Sequence, residues 1–146
     1  MNSSNRKLNV RYQPGWVDHM LEGLAVLVEM VIWICIYRLY LKEGNVSPEV
    51  WTMGGTSLFS LILLGVCAYV PVRYYNFPFR VNERNMGVQY ALAVKLIRGL
   101  NVVLGLMFLA CVFVPYYPNA SLFVSLSVVL MVILFIVYAI FAYKYR

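Results

Sequence analysis

The chain has 146 residues, of which 62% are apolar and 12% are charged, and its mean hydropathy is +0.74. This balance excludes a water-soluble globular domain and indicates an integral membrane protein, with the lipid bilayer as its first partner. The formal net charge of +6 is explained by membrane topology and by contact with anionic headgroups, so we expect no nucleic-acid partner.

Four apolar runs are each long enough to cross a hydrocarbon core about 30 Å thick, which requires roughly 20 helical residues. The sequence therefore predicts an all-α fold, an integral membrane four-helix bundle that forms a single membrane domain over residues 1–146. The predicted spans are 17–41, 52–74, 99–114 with an N-terminal extension from 83, and 120–143.

Three acidic residues form one stripe on the first helix. At 100° per residue, Asp18, Glu22 and Glu29 lie within about 40° of one another. Glu29 is about 18 Å from the helix start, near the membrane midplane, where a charge is costly. We therefore expect Glu29 to carry a proton and to hydrogen-bond to a neighbouring helix. The alternative is that Glu29 is the binding carboxylate of a small proton-linked transporter or channel subunit.

The connection between helices two and three contains strong helix-breaking signals. Pro71 and Pro78 disfavour helix at the residues before them, and Asn82 offers an N-cap for a long third helix. About 32 residues at 1.5 Å each would give a helix of about 48 Å, which exceeds the membrane. We therefore predict an amphipathic cytoplasmic interfacial helix over 83–98 that leads into helix three. It should lie at the cytoplasmic interface or emerge from it before the chain turns inward near Gly99.

Basic residues predict the orientation of the bundle. Ten of the twelve share one side if the chain crosses four times, and only Arg38 and Lys42 lie on the other. Since cytoplasmic loops carry the excess of Lys and Arg, both termini should be cytoplasmic. The ten are Arg6, Lys7, Arg11, Arg73, Arg80, Arg84, Lys95, Arg98, Lys144 and Arg146.

Lys95 and Arg98 lie on the same predicted side of the membrane as the first two acidic residues of helix one. We expect them to pair with Asp18 and Glu22 across helices one and three, because charges within a membrane protein require partners. Small residues on helices two and three permit close helix packing and are compatible with a homo-oligomer. These glycines are Gly54, Gly55, Gly65, Gly99 and Gly105.

The residue patterns of intramembrane enzymes are missing from the sequence. The spans carry no paired aspartates, no serine near a histidine or lysine, and no H-E-x-x-H zinc motif. His19 is the only histidine and lies at a helix start, where an interfacial position is the simpler interpretation. We therefore expect no catalytic residue, no cofactor and no metal.

Two segments are similar to those of a known family. The run Asp18-His19-Met20-Leu21-Glu22-Gly23 resembles the D-x-x-L-E-x run of small bacterial membrane proteins related to the SdpI immunity protein. A longer match resembles that family's F-N-Y-P, T-x-E-N-A, R-Q-Y-x-L-A and L-x-R segments in order and spacing. It comprises residues 75–79, then Asn82, Glu83, Asn85, Gln89, Tyr90, Leu92, Ala93, Leu96, Ile97 and Arg98, with Asn76 inside the first segment.

The loop between helices one and two departs from the family pattern. Residues 42–55 lack the His, Asp and Lys of the usual I-P-x-H-F-N and G-x-x-D-G-x-G-x-K motifs, so the chain resembles a divergent member. The resemblance implies a multi-pass protein of the bacterial inner membrane with a non-catalytic toxin-immunity or signalling role. Its partner would be a membrane protein or peptide, and contacts are expected around Asn45, Glu49, Tyr116 and Tyr117.

Overall fold

The computed structural model describes residues 12–77, 81 and 84–145, and its regular structure is entirely helical over that part of the chain. Each of the four α-helices is long and apolar enough to cross a membrane. The predicted all-α membrane four-helix bundle is therefore confirmed. The helices are α1 (Trp16–Glu43), α2 (Pro48–Cys67), α3 (Met86–Phe113) and α4 (Ala120–Lys144), with a short 3₁₀ helix at Val72–Tyr74 between α2 and α3.

Glycine and proline residues explain where helix α1 ends and where helix α2 begins and ends. Gly44 adopts a φ of 69°, a left-handed conformation that glycine accepts readily, and its N–H bonds to the Tyr40 carbonyl to close α1. Pro48 then occupies the first turn of α2, where a missing N–H costs nothing. Helix α2 consequently begins before the predicted Thr52. It also ends before the predicted Tyr74, which lies in the 3₁₀ helix that follows Pro71.

Helix α3 is one continuous helix and lacks the turn predicted near Gly99. The backbone remains helical through Gly99, because one glycine weakens a helix by only about 1 kcal/mol and leaves its hydrogen bonds in place. The turn predicted there is wrong. Gln89 and Tyr90 in the first half of α3 are buried inside the bundle. The predicted cap at Asn82 lies outside the described residues, and the observed helix begins after Asn85.

Helix α3 is the centre of the bundle, since α1, α2 and α4 all pack against it, while α4 packs chiefly on α3 alone. One apolar core joins Ile32 and Ile36 of α1 to Val50 of α2 and Val112 of α3. A second core at the other end of the bundle surrounds Tyr90. Helices α2 and α4 therefore keep most of their apolar surface available to lipid.

Two glycines allow α1 to approach its neighbours closely. A Cβ atom at Gly54 of α2 would lie 2.7 Å from Cδ1 of Ile36, and a Cβ atom at Gly105 of α3 would lie 3.0 Å from Cγ1 of Val28. A Cβ atom at Gly55 would meet nothing within 4 Å. Close contact through small residues is the usual basis of helix association in membranes, where lipid removes the hydrophobic drive between helices.

We expect Gly54→Leu to destabilise the bundle by about 1–3 kcal/mol, the usual cost of overpacking. The new side chain would collide with Ile36, which is fully buried, whereas Gly55→Leu would extend into lipid. Thermal unfolding in detergent, followed by circular dichroism, measures the difference. Equal unfolding temperatures for the two variants would contradict the close contact of α1 and α2.

Candidate functional site

The principal polar feature is a buried ionic cluster that joins α1 to α3. Nη1 of Arg98 lies 2.8 Å from Oδ1 of Asp18, and Nη2 lies 2.9 Å from Oε1 of Glu22. Nε of Arg98 also donates a hydrogen bond of 3.0 Å to Oε1 of Glu22. The side chains of Arg98 and Asp18 are 3% and 1% exposed, respectively. The predicted pairing of Arg98 with both acidic residues is confirmed.

Two tyrosines complete this cluster, and the sequence analysis did not single them out. The Tyr12 hydroxyl donates a 2.6 Å hydrogen bond to Oδ2 of Asp18, which also accepts the Gly15 N–H at 2.7 Å. The Tyr69 hydroxyl donates a 2.6 Å hydrogen bond to Oε1 of Glu22. Both rings flank the guanidinium carbon of Arg98, at 5.9 Å and 5.3 Å from their centroids. We call these five residues, Tyr12, Asp18, Glu22, Tyr69 and Arg98, the Arg98 cluster.

Both tyrosines of the cluster lie outside the spanning helices, and the pKa of each hydroxyl is raised. Burial, together with the hydrogen bond to Asp18, raises the pKa of Tyr12 to about 12. The hydrogen bond to Glu22 raises the pKa of Tyr69, with a further contribution from burial. A neutral phenol donates to a carboxylate, whereas a phenolate would repel it. Both residues therefore remain hydrogen-bond donors to the cluster at neutral pH.

The five residues of the Arg98 cluster carry two carboxylates and one guanidinium. Glu22 is the accessible member, at 29% exposure. Its second oxygen, Oε2, lies 3.5 Å from Nδ1 of His19, a residue that is mostly exposed. Unless His19 is protonated, the described groups leave one negative charge without a balancing cation, and that charge is nearest to solvent at Glu22.

Lys95 does not take part in the cluster. Its side chain is exposed, and among the described residues it forms no ion pair with Asp18 or Glu22. Positions three residues apart on a helix differ by about 60° around the axis, which is enough to separate an inward from an outward side chain. Arg98 therefore carries the interhelical pairing, and Lys95 belongs to the surface.

Glu29 is buried between α1 and α2 and both of its carboxyl oxygens are occupied. Ser57 of α2 donates a 2.6 Å hydrogen bond to Oε2, and Trp33 of α1 donates a 2.8 Å hydrogen bond to Oε1. The predicted bond to a neighbouring helix is confirmed. The four-residue spacing of Glu29 and Trp33 was a sequence signal for their contact, but nothing in the sequence identified Ser57 as the partner on α2.

The remaining candidate polar residues have structural or surface positions. The Gln89 side-chain nitrogen donates a hydrogen bond of 2.7 Å to the Ala142 carbonyl at the end of α4. Asn85 is buried at the N-cap of α3, where its carbonyl accepts the Gln89 N–H at 2.9 Å. Asn76 is exposed. A residue not considered before, Asn101, donates to the Leu61 carbonyl of α2 at 3.3 Å.

Among the grooves formed by the described residues, two combine an apolar surface with a glutamate side chain. The first, of about 450 Å³, lies between α2, α3 and α4 at the end of the bundle opposite the Arg98 cluster, and we call it the α2–α4 groove. The second, of about 430 Å³, lies beside the cluster, and we call it the α1–α2 groove. The α2–α4 groove is lined by Glu49, Val50, Met53, Cys111, Val114, Pro115, Ser121, Val124 and Ser125. The α1–α2 groove is lined by Glu22, Ala25, Val26, Leu61, Ile62, Gly65, Val66, Tyr69 and Asn101.

Comparison of the chain with family models, with curated proteins and with solved structures finds no match in any of the three. Within the described residues, no group of three His, Cys, Asp or Glu side chains is arranged to hold a metal ion. The fold defines the class of the protein, a four-helix protein suited to the membrane. Its function has to be inferred from the site, because a fold alone does not specify one.

We expect Arg98→Met to lower the free energy of unfolding by about 3–5 kcal/mol, because it leaves Asp18 buried without its cation. Lys95→Met is the matched control, and it should change stability little because Lys95 is exposed. Adding Asp18→Asn and Glu22→Gln to Arg98→Met should restore part of the loss, since all the charges of the Arg98 cluster are then removed. Thermal unfolding in detergent tests the series. Equal losses for Arg98→Met and Lys95→Met would contradict the buried pairing.

Proposed function

We propose that this chain is a non-catalytic multi-pass protein of the bacterial inner membrane, with both termini in the cytoplasm. Its role would be to bind a hydrophobic peptide or a membrane-protein segment, in toxin immunity or signalling. The observation that carries the proposal is the use of the buried polar residues: Asp18, Arg98, Glu29 and Gln89 all bond to neighbouring helices. These groups act as internal supports, and the grooves are the features available to a ligand.

The α2–α4 groove is the binding surface that best fits this role. Its floor is apolar, while Glu49, Ser121 and Ser125 provide polar groups along it. It lies beside the connections α1–α2 and α3–α4, the two segments in which the sequence predicts contacts with a partner. A membrane-active peptide combines an apolar face with a few polar groups, so its chemistry matches that of the groove.

Among the described residues, an excess of basic side chains lies at the end of the bundle opposite this groove, which supports the proposed orientation. With the basic end in the cytoplasm, the α2–α4 groove lies toward the outside of the cell. A secreted peptide arriving from outside would meet this groove first. Capture there would keep the peptide from the surrounding bilayer, which is the physical basis that we propose for protection.

A groove-filling substitution tests this proposal. Cells that lack the protein are supplied with wild type, Ser125→Trp or Leu122→Trp and challenged with a panel of membrane-active bacterial peptides. Ser125 lines the groove, whereas Leu122 is exposed at a similar depth on α4 and is not one of the lining residues. We expect wild type and Leu122→Trp to protect against at least one peptide. Cells with Ser125→Trp should survive only about a tenfold lower concentration of that peptide, the effect of one lost anchoring contact.

Equal protection by the two tryptophan variants would contradict binding in the α2–α4 groove. Wild type that protects against none of the peptides would contradict the immunity role itself. Membrane abundance of each variant, measured by immunoblotting, separates lost binding from lost folding.

Proton-linked transport is the second candidate, and the position of Glu29 inside a spanning helix is the observation that favours it. Its two oxygens already accept hydrogen bonds from Trp33 and Ser57, which favours a structural role. In liposomes containing a pH dye and held at an imposed potential, we expect no proton flux above the protein-free background for wild type or Glu29→Gln. Flux that disappears in Glu29→Gln would instead make Glu29 the transport site.

A further inference from the structure

The α1–α2 groove beside the Arg98 cluster combines an apolar channel with a negatively charged end. We propose that it binds a phospholipid whose headgroup carries a primary amine, as in phosphatidylethanolamine. An acyl chain would occupy the apolar channel, and the amine would approach Glu22. This site is separate from the α2–α4 groove, and the inference does not depend on the proposed function.

The apolar part of the groove faces the surrounding lipid. Val26 of α1 and Ile62 and Val66 of α2 line it, and each is about half exposed or more. Gly65 also lines the groove, and a Cβ atom there would meet nothing within 4 Å. The missing side chain at Gly65 therefore keeps the channel open, and an acyl chain is the apolar group that surrounds a spanning helix at this surface.

The polar end of the groove favours a cation. Glu22 and Tyr69 line it, and the Tyr69 hydroxyl and Arg98 both bond to Oε1 of Glu22. The other oxygen, Oε2, lies 3.5 Å from Nδ1 of the exposed His19. The described cluster carries one more carboxylate than guanidinium. An additional cation near Oε2 would balance this charge.

Hydrogen bonding distinguishes a primary amine from a quaternary one. A primary ammonium has three N–H donors, and Glu22, which lines the groove, offers a carboxylate acceptor. A choline headgroup has the same charge but no N–H donor. Because charge-assisted hydrogen bonds are about twice as strong as neutral ones, the groove should prefer ethanolamine to choline when the acyl chains are identical.

Native mass spectrometry of the purified protein in detergent tests the proposal. The protein is titrated with phosphatidylethanolamine or phosphatidylcholine of the same acyl chains, and the bound fraction gives an apparent Kd. We expect wild type to bind the ethanolamine lipid about tenfold more tightly, the ratio produced by one hydrogen bond to a charged group.

Two pairs of variants separate the two ends of the groove. Gly65→Leu fills the channel and should weaken binding of both lipids by about tenfold. Gly55→Leu is its control, because Gly55 also has open space around it but does not line the groove. His19→Arg places a permanent cation beside Glu22 and should abolish the preference for ethanolamine, while His19→Gln should keep it. His19 is exposed, so both substitutions are compatible with folding.

Several results would overturn the inference. Equal affinity of wild type for the two lipids would exclude recognition of the amine. Equal binding by Gly65→Leu and Gly55→Leu would exclude the groove as the place of the acyl chain. A dimer that dissociates in Gly65→Leu but not in Gly55→Leu would show that a second copy of the chain, and not a lipid, occupies the groove.

Discussion

The pairing of one guanidinium with two carboxylates is the interaction on which the arrangement of this bundle depends. An ion that leaves water for a medium of low polarity loses several kcal/mol of solvation free energy, even after the protein relaxes. Each charged partner here is therefore stable only when the others are in place. Asp18 and Glu22 are on α1 and Arg98 is on the central helix α3. Satisfying the charges therefore sets both the register and the rotation of α1 against α3.

The other buried polar groups extend the same principle to the remaining helices. Glu29 joins α1 to α2 through Ser57, Asn101 joins α3 to α2, and Gln89 joins α3 to the end of α4. In lipid there is little hydrophobic drive for one helix to prefer another, so hydrogen bonds and close packing at small residues determine which faces meet. Gly54 supplies such a close contact between α1 and α2. Apolar surface stays on the outside, where it is solvated by acyl chains.

The arrangement of polar residues differs between the two ends of the bundle. At the Arg98 end, tyrosines and charges are concentrated in a bonded cluster that leaves one carboxylate, Glu22, partly accessible. At the opposite end, α2 and α4 border a groove with few polar groups. In our proposals, the first end binds the ammonium group of a zwitterionic lipid headgroup and the second end binds an apolar peptide. The two proposed ligands differ because the α1–α2 groove adjoins the Arg98 cluster and the α2–α4 groove does not.

The sequence by itself determined the class, the number of helices and their approximate limits, since hydropathy and helix length are local properties that the bilayer thickness constrains. It also identified Arg98, Asp18, Glu22 and Glu29 as residues that need partners. Only the tertiary structure decided which partners they have. Arg98 and Glu22 are 76 residues apart, and the choice of Arg98 over Lys95 depends on the rotation of α3, which no local pattern specifies. Tyr69 joins the cluster from just beyond the end of α2, and its position results from the packing of whole helices.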